Sequence, residues 1–434
     1  MGNIKLKIGS IFDVAKGTLQ SSKNTPGNYS FITASSEWKT HTTYTHDCEA
    51  LVFAMAASGS LGRTHYINGQ FIASDLCFII TAKDGLKDKI SLRFFYHYFN
   101  AIKDEIVKAT ATGTSKLAIN TKNFINYEIY LPDINTQLLL IKTIEQAKTI
   151  AEQFDKYSEE SLGYLSLLRQ AVLQEAIQGN LVEQNPDDEP ASLLLEKIQE
   201  EKERLIEEKK IKFEKPLPPI TKDETPFELP KGWEWVRLGD VALKIVDGTH
   251  HSPPSFPSGK YMYITAKNIK EGGIDLCNIT FVSENEHKKI FQRCDVQYND
   301  ILLIKDGATT GIVTVNKIKE EFSLLSSVAI IRVNELLVIP EYIAYALKSP
   351  VVRNIMLKTM SGSAITRLTL SKIKNILLPI PPTSFQKEAI NKLNNLMFYC
   401  NSLSSEILKS KSHSEKLIGV VLKDAFLNES RSKY

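Results

Sequence analysis

The residues with chemical potential are scattered through loops, and they do not assemble into a familiar catalytic set. His250-His251 follow Asp247-Gly248-Thr249, and His46 stands beside Asp47 and Glu49. Both groups invite a metal reading. The histidine pair has no third ligand at metal-site spacing and reads as part of a loop, and the group at His46 has a similarly ordinary reading. No G-x-x-x-x-G-K-[ST] loop is present, which speaks against nucleotide hydrolysis in this chain. An Asn/Asp-Pro-Pro-aromatic loop holds the target base in adenine methyltransferases. The nearest strings are Ser252-Pro253-Pro254-Ser255 and Pro381-Pro382-Thr383-Ser384, which lack both the amide or carboxylate and the aromatic. No nucleophile–base–orienter set is visible.

Gly/Ser/Thr-rich loops, where the backbone can approach a ligand, carry basic, hydroxyl and amide residues, the types that contact phosphates and base edges where a chain binds nucleic acid. In the second half of the chain the candidates are Thr265, Lys267 and Asn268; Lys305, Thr309 and Thr310; and Ser361, Ser363 and Arg367. Arg367 suits guanine O6/N7, and Asn268 suits adenine N6/N7. In the first half the counterparts are Thr33, Ser35, Ser36 and Lys39; Ser58, Ser60 and Arg63; and Thr114 and Lys116.

The elements that must position these loops occur twice. Tyr29–Ala34 (YSFITA) returns as Tyr261–Ala266 (YMYITA), and Ile8-Gly9-Ser10-Ile11 returns as Leu238-Gly239-Asp240-Val241. Farther on, the offset settles at 249: Gly113-Thr114 with Gly362-Ser363, Gln137 with Gln386, Ala171–Leu173 with Val420–Leu422. A repeat of this length means two copies of one folding unit. The head of each copy (about 4–132 and 231–381) is rich in short β-branched and aromatic runs, punctuated by Gly, Asn, Asp and Pro, with a few helices such as Pro340–Lys348. That pattern predicts a mixed α/β domain built on a curved, mostly antiparallel sheet.

Each head leads into about 40 residues without proline, a long helix. Residues stepping 3,4,3,4 in the first are Ile144, Ala147, Ala151, Phe154, Ser158, Ser161, Leu165, Leu168 and Val172. In the second they are Leu393, Leu396, Cys400, Leu403, Ile407, Ser410, Ser414, Leu417 and Val421. A shared 3.5-residue period predicts two helices supercoiled on each other. Between the copies, Ala191–Lys212 reads as a charge-laced helix, a solvated linker in preference to a docking strut, and Lys215–Pro219 ends it. The predicted plan is α+β: a β-rich domain over 1–135, helix 136–180, linker 181–230, a second domain over 231–383, helix 384–428 and a tail 429–434. The two helices run antiparallel as a coiled-coil spacer, with internal pseudo-twofold symmetry.

Composition fits such a chain. The 434 residues are 43% hydrophobic and 24% charged, enough for real cores. Five cysteines without a C-x-x-C pair argue for reduced thiols in a cytoplasm. The longest apolar run, Ala50–Ala57, is far too short for a bilayer, and the N-terminus lacks the apolar core of a signal peptide. The net charge of +3 hides an acidic middle (136–227) between mildly basic blocks, weak support for anionic partners at two places.

Taken in order, these motifs resemble the DNA-specificity (S) subunit of type I restriction–modification systems. The marks are Leu229-Pro230-Lys231-Gly232-Trp233 leading into Val236–Asp240, the Asp306-Gly307-x-x-x-Gly311 turn, Ser361–Ala364 followed by Leu368-Thr369, Ile380-Pro381-Pro382 with Gln386 entering the second long helix, and Gln174–Val182 closing the first. The first head departs from the pattern by beginning at Ile4–Ile8 without the L-P-x-G-W entry. The resemblance implies a non-catalytic chain that reads a bipartite, asymmetric double-stranded DNA target through its two heads. It implies docking of two methyltransferase subunits and, through them, a restriction subunit. S-adenosylmethionine, ATP and magnesium would then belong to those partners. A recognition subunit of another restriction–methylation type, or a protein-interaction scaffold with the same plan, are the alternative readings.

Overall fold

The computed structural model describes residues 4–57, 59–113, 117–359 and 367–427. The chain divides into two compact units. One comprises residues 1–160 and 407–434, the other residues 161–406.

The sheet of the first unit has six strands in the spatial order Phe12–Lys16, Cys77–Ala82, His46–Ala54, Thr64–Ala73, Tyr29–Ile32 and Lys39–His41. All neighbours pair antiparallel except Tyr29–Ile32 with Thr64–Ala73, which are parallel. Leu51 to Ala54 are buried on both sides, which explains their continuous apolar run. One face packs on the helix Leu92–Ala101, whose Phe94, Phe95 and Phe99 meet Phe12, Phe53 and Phe124 in one aromatic core. Ile4–Lys7 pairs with Glu128–Leu131, closing the head where the first long helix starts.

The second unit repeats this with its strands split between sheets. Ala242–Asp247, Val328–Val333, Ile301–Ile304 and Val313–Val315 form one sheet of four, and Tyr261–Ile264 lies between Thr280–Val282 and Phe322–Leu324 in a sheet of three. Glu234–Arg237 pairs with Leu377–Ile380 at the root of the second long helix. The register preserves the repeat. Leu303 faces Ala329 as Phe53 faces Phe78, and Asp247 takes the place of Lys16.

The long helices span Ile134–Ile177 and Thr383–Leu427, within three residues of expectation at each described end. At each start a buried glutamine ties helix to head. The Gln137 side chain accepts from Ser91 N and donates to Lys89 O and Pro132 O, and Gln386 accepts from Ile339 N and donates to Pro381 O. In the second unit, one Arg169 guanidinium nitrogen donates to Cys400 O, Asn401 Oδ1 and Ser404 Oγ. Ten residues on, Gly179 lies against Trp233, whose ring meets Phe385 at 4.7 Å. The two segments therefore pass in opposite directions within this unit. In the first unit, Lys411 Nζ reaches Glu159 at 3.2 Å and Asp155 at 3.8 Å.

The helix faces differ from the expected frame by one residue at alternate positions. Ile144, Leu393 and Cys400 are buried, and Ala151, Leu165, Val172, Leu396 and Ile407 are half-buried. Phe154, Leu168, Leu403 and Leu417 are exposed. Asp155, Arg169 and Ser404, adjacent to the first three of these, and Lys411, adjacent to Ser410, are half-buried in the 4-step that follows each kept position. Ion pairs and a guanidinium thus occupy places that hydrophobic periodicity assigned to apolar side chains. Val421 lies in the helix, outside the residues whose side chains are described.

The linker helix also departs from expectation. It runs Ala191–Glu207, shorter than the predicted span. Ala191, Leu194 and Ile198 are buried in the core of the second unit, and Lys202 Nζ donates to Gly239 O and Asp240 O. Spacing of 3 and 4 residues gives this helix a narrow apolar stripe that its charged faces mask.

Candidate nucleic-acid interface

In each unit the strands end together, and the loops that leave those ends meet. In the second unit Leu325 N donates to Ile264 O, which joins the loop after Tyr261–Ile264 to the loop after Phe322–Leu324. Ser326 N donates to Thr249 O, Lys305 N to Ser327 O, and Leu368 N to Lys305 O. Asp306 and Arg367 pair as an isolated antiparallel bridge. The loops carrying 265–268, 305–310 and 367 are thereby stitched into one surface. In the first unit, Arg63 Nη1 donates to Ala34 O and Ser60 Oγ, joining the 33–39 and 59–63 loops. Ile119 N donates to Met55 O, and Ala56 bridges Ala118, which brings in the third loop.

The individual candidates separate by role. Lys39, Ser35, Ser36, Lys267 and Thr309 are exposed, and the Arg367 side chain is 66% exposed. Others serve the loop itself. Asn268 is buried: its Oδ1 accepts from Thr265 N and Oγ1, and its Nδ2 donates to Asp275 O. That leaves no free edge for adenine, so Asn268 is a turn-forming residue and the adenine assignment is withdrawn. Thr310 is buried, with Oγ1 donating to Gly307 O. Thr33 is buried with its hydroxyl 2.7 Å from that of Ser35. Arg63 is half-buried and spent on the two contacts above. Ser58, Thr114, Lys116, Ser361 and Ser363 lie outside the described residues.

Lys305 is buried within a set of charges that sequence spacing did not reveal. Its Nζ is 3.3 Å from Asp247 and 3.0 Å from Asp306. Arg293 Nη2 stands 2.7 Å from Asp247, and Arg367 Nε stands 3.3 Å from Asp306 Oδ1. Asp247, Arg293 and Asp306 come from three separate segments, so only the fold unites them. The paired histidines diverge. His250 accepts from Arg293, and His251 binds Thr249 and Glu286. Among the described residues no group of three or more His, Cys, Asp or Glu is placed to hold a metal ion.

A second set missed by sequence reading holds the 33–39 loop. Trp38 Nε1 donates to His65 Nδ1, and His65 Nε2 donates to Ser35 O. Both bonds need the neutral ring, and burial lowers the His65 pKa accordingly. Trp38 and His65 also line, with Arg93, Tyr96 and His97, a hollow of about 340 Å³ in the first unit.

No helix among the described residues is long and apolar enough to cross a membrane. The model of the type I restriction modification DNA specificity domain matches twice, over residues 3–162 and 230–410. Similar curated proteins include the type I restriction enzyme EcoEI specificity subunit of Escherichia coli, 27% identical over 81% of this chain and 62% of that one. The EcoAI specificity subunit of the same organism is 30% identical over 68% and 51%. The chain thus spans between half and two thirds of the length of these relatives. In fold it is similar to a chain of a solved type I R-M system (TM-score 0.64, 16% identity, covering 98% of this chain and 97% of that one). It is also similar to the HsdS subunit of Thermoanaerobacter tengcongensis (TM-score 0.55, 16% identity, 98% and 96%). With two copies of the domain covering most of its length, the chain belongs to the type I restriction–modification DNA specificity family.

Proposed function

We propose that this chain is the DNA-reading specificity subunit of a type I restriction–modification complex. Each unit's loop surface reads one half of a bipartite, asymmetric target, and the long helices act as an antiparallel coiled-coil spacer that sets the unread gap. The observation that carries this reading is the convergence, in both units, of three separate loops on the same end of the sheet. Phosphate contacts from exposed lysines supply register there, and base-edge contacts supply choice.

Two copies of one domain offer two similar docking surfaces, which fits two methyltransferase subunits on a pseudo-twofold axis, with the restriction subunit joining through them. The chain itself is non-catalytic in this reading. S-adenosylmethionine, ATP and magnesium act on the partner subunits, and the complex works in the cytoplasm, where its DNA is. Sequencing the methylated motif of a host that carries the operon tests the proposal. A gapped motif with two unlike halves is expected; a contiguous or palindromic motif refutes it.

A further inference from the structure

The charges around Lys305 form a chain of alternating sign across the loop end of the second unit: Arg293, Asp247, Lys305, Asp306, Arg367. Successive links measure 2.7, 3.3, 3.0 and 3.3 Å. The three inner members are nearly buried, with side chains 3%, 9% and 14% exposed, while the terminal arginines are 52% and 66% exposed. Two carboxylates against three cations leave one net positive charge. The inner lysine neutralises acids that would otherwise repel phosphate.

Resting on the reading of this chain as a DNA-specificity subunit, we propose that Arg367 selects a guanine in the half-site of the second unit and that Asp306 is its positioning residue. Arg367 is anchored on both sides of its backbone. Its backbone bridges Asp306, and the next residue, Leu368, is fully buried and bonded to Lys305 O. Asp306 approaches the guanidinium from the Nε side, leaving the Nη pair to meet the O6 and N7 acceptors of guanine as a fork. Asp306 Oδ1 is buried and has no hydrogen bond despite the nearby Nε. A small swing of the guanidinium would align that bond and satisfy the carboxylate as the base is engaged.

The first unit lacks this device. By sheet register and bridge pairing, Asp247, Lys305, Asp306 and Arg367 correspond to Lys16, Met55, Ala56 and Ala118. Around the bridge itself the first unit presents Met55, Ala56 and Ala118, apolar side chains that suit a thymine methyl instead of a guanine edge, with Lys16 the single cation of the four. The two halves of the target therefore differ in base type where the two units present equivalent positions.

The test compares methylated motifs in hosts expressing wild type, Arg367→Ala, Asp306→Asn and Asp306→Glu. Arg367→Ala should abolish the preference for one guanine in one half-site and leave the other half-site intact. Asp306→Asn should relax the same position, and Asp306→Glu, which keeps the carboxylate, should restore part of it. In binding assays with the assembled methyltransferase, replacing that guanine by adenine should weaken wild type about ten- to hundredfold. For Arg367→Ala the penalty should fall to less than about threefold. This ratio is read even if the variant no longer methylates in the host. An Arg367→Ala motif identical to wild type, an unchanged guanine penalty, or a relaxation in both half-sites overturns the inference while leaving the bipartite reading in place. A wild-type motif with no gap would instead sink the reading itself.

Discussion

Gly248 sits directly after Asp247, where the chain turns against the end of the strand Phe322–Leu324. A Cβ at this position would lie 2.0 Å from Leu324 O, 2.3 Å from Leu324 C and 2.7 Å from Leu325 C. An ordinary carbon–oxygen approach is about 3.3 Å, so Gly248→Ala must push two backbones apart by more than about 1 Å. The bonds at risk are Thr249 N to Leu324 O and Ser326 N to Thr249 O, both 2.8 Å. Leu324 is fully buried and Thr249 nearly so, which keeps water from replacing either bond. At about 1–3 kcal/mol for each of the two bonds lost, the loss is about 2–6 kcal/mol for the second unit. The control is Gly307→Ala. Nothing lies within 4 Å of its Cβ, and only its φ of +100° is unfavourable, which costs about 1–2 kcal/mol. Hydrogen exchange followed by mass spectrometry on the intact chain separates the two. Gly248→Ala should deprotect the Thr249 and Ser326 amides and spare the first unit. Gly17→Ala, whose Cβ would lie 2.1 Å from Ser74 O, should do the mirror experiment in the first unit. If Gly248→Ala costs no more than Gly307→Ala, the close approach is not what holds the loops together.

Other outcomes follow from the same structure. Arg332→Met strips the guanidinium that binds Asp300 through two nitrogens at 2.8 Å and also pairs with Asp295, leaving a buried carboxylate. A loss of about 3–5 kcal/mol is expected in denaturant titrations followed on the second unit. Burial, helped by the charges of Lys148 and Arg93, lowers the His97 pKa to about 4. The unfolded chain then binds the extra proton first, so stability of the first unit is complete above about pH 6.5 and declines toward pH 4; His97→Gln should flatten that slope in pH-dependent melting. Inserting one heptad within 155–161 and another near Glu406 should widen the unread gap of the methylated motif by about 10 Å, or three base pairs; an unchanged gap removes the spacer role.

The long helices and the two-copy plan were legible because proline-free stretches and a 249-residue offset are strong, local signals. The loops were legible for the same reason: both copies place polar, glycine-bearing segments after matching strands. What these side chains do was less visible. Asn268 and Arg367 look equally available in sequence, yet one closes a turn and the other, paired with Asp306, keeps an exposed side chain. Lys305 looked like a surface cation because its partners Asp247 and Asp306 become neighbours only through strand pairing. The helix faces differ from the hydrophobic frame at Phe154, Leu168 and Leu403 because hydrophobicity alone cannot tell that Asp155, Arg169 and Ser404 find polar partners. The packing of the linker helix is hard to see in sequence because only three of its apolar residues, Ala191, Leu194 and Ile198, are buried, in a narrow stripe among many charges.

That linker bears on how such a chain can be recombined. Arg237, almost fully buried, donates to Pro218 O, Pro219 O and the Glu224 carboxylate, while Ala191 N donates to Gly232 O. The stretch from 190 to 230 is thus bonded at both ends to the second head. A cassette exchanging that head at residue 230 would leave a foreign surface facing Leu194 and Ile198. A crossover before Pro190 carries the whole block, so the exchangeable module is longer than the β-rich head alone.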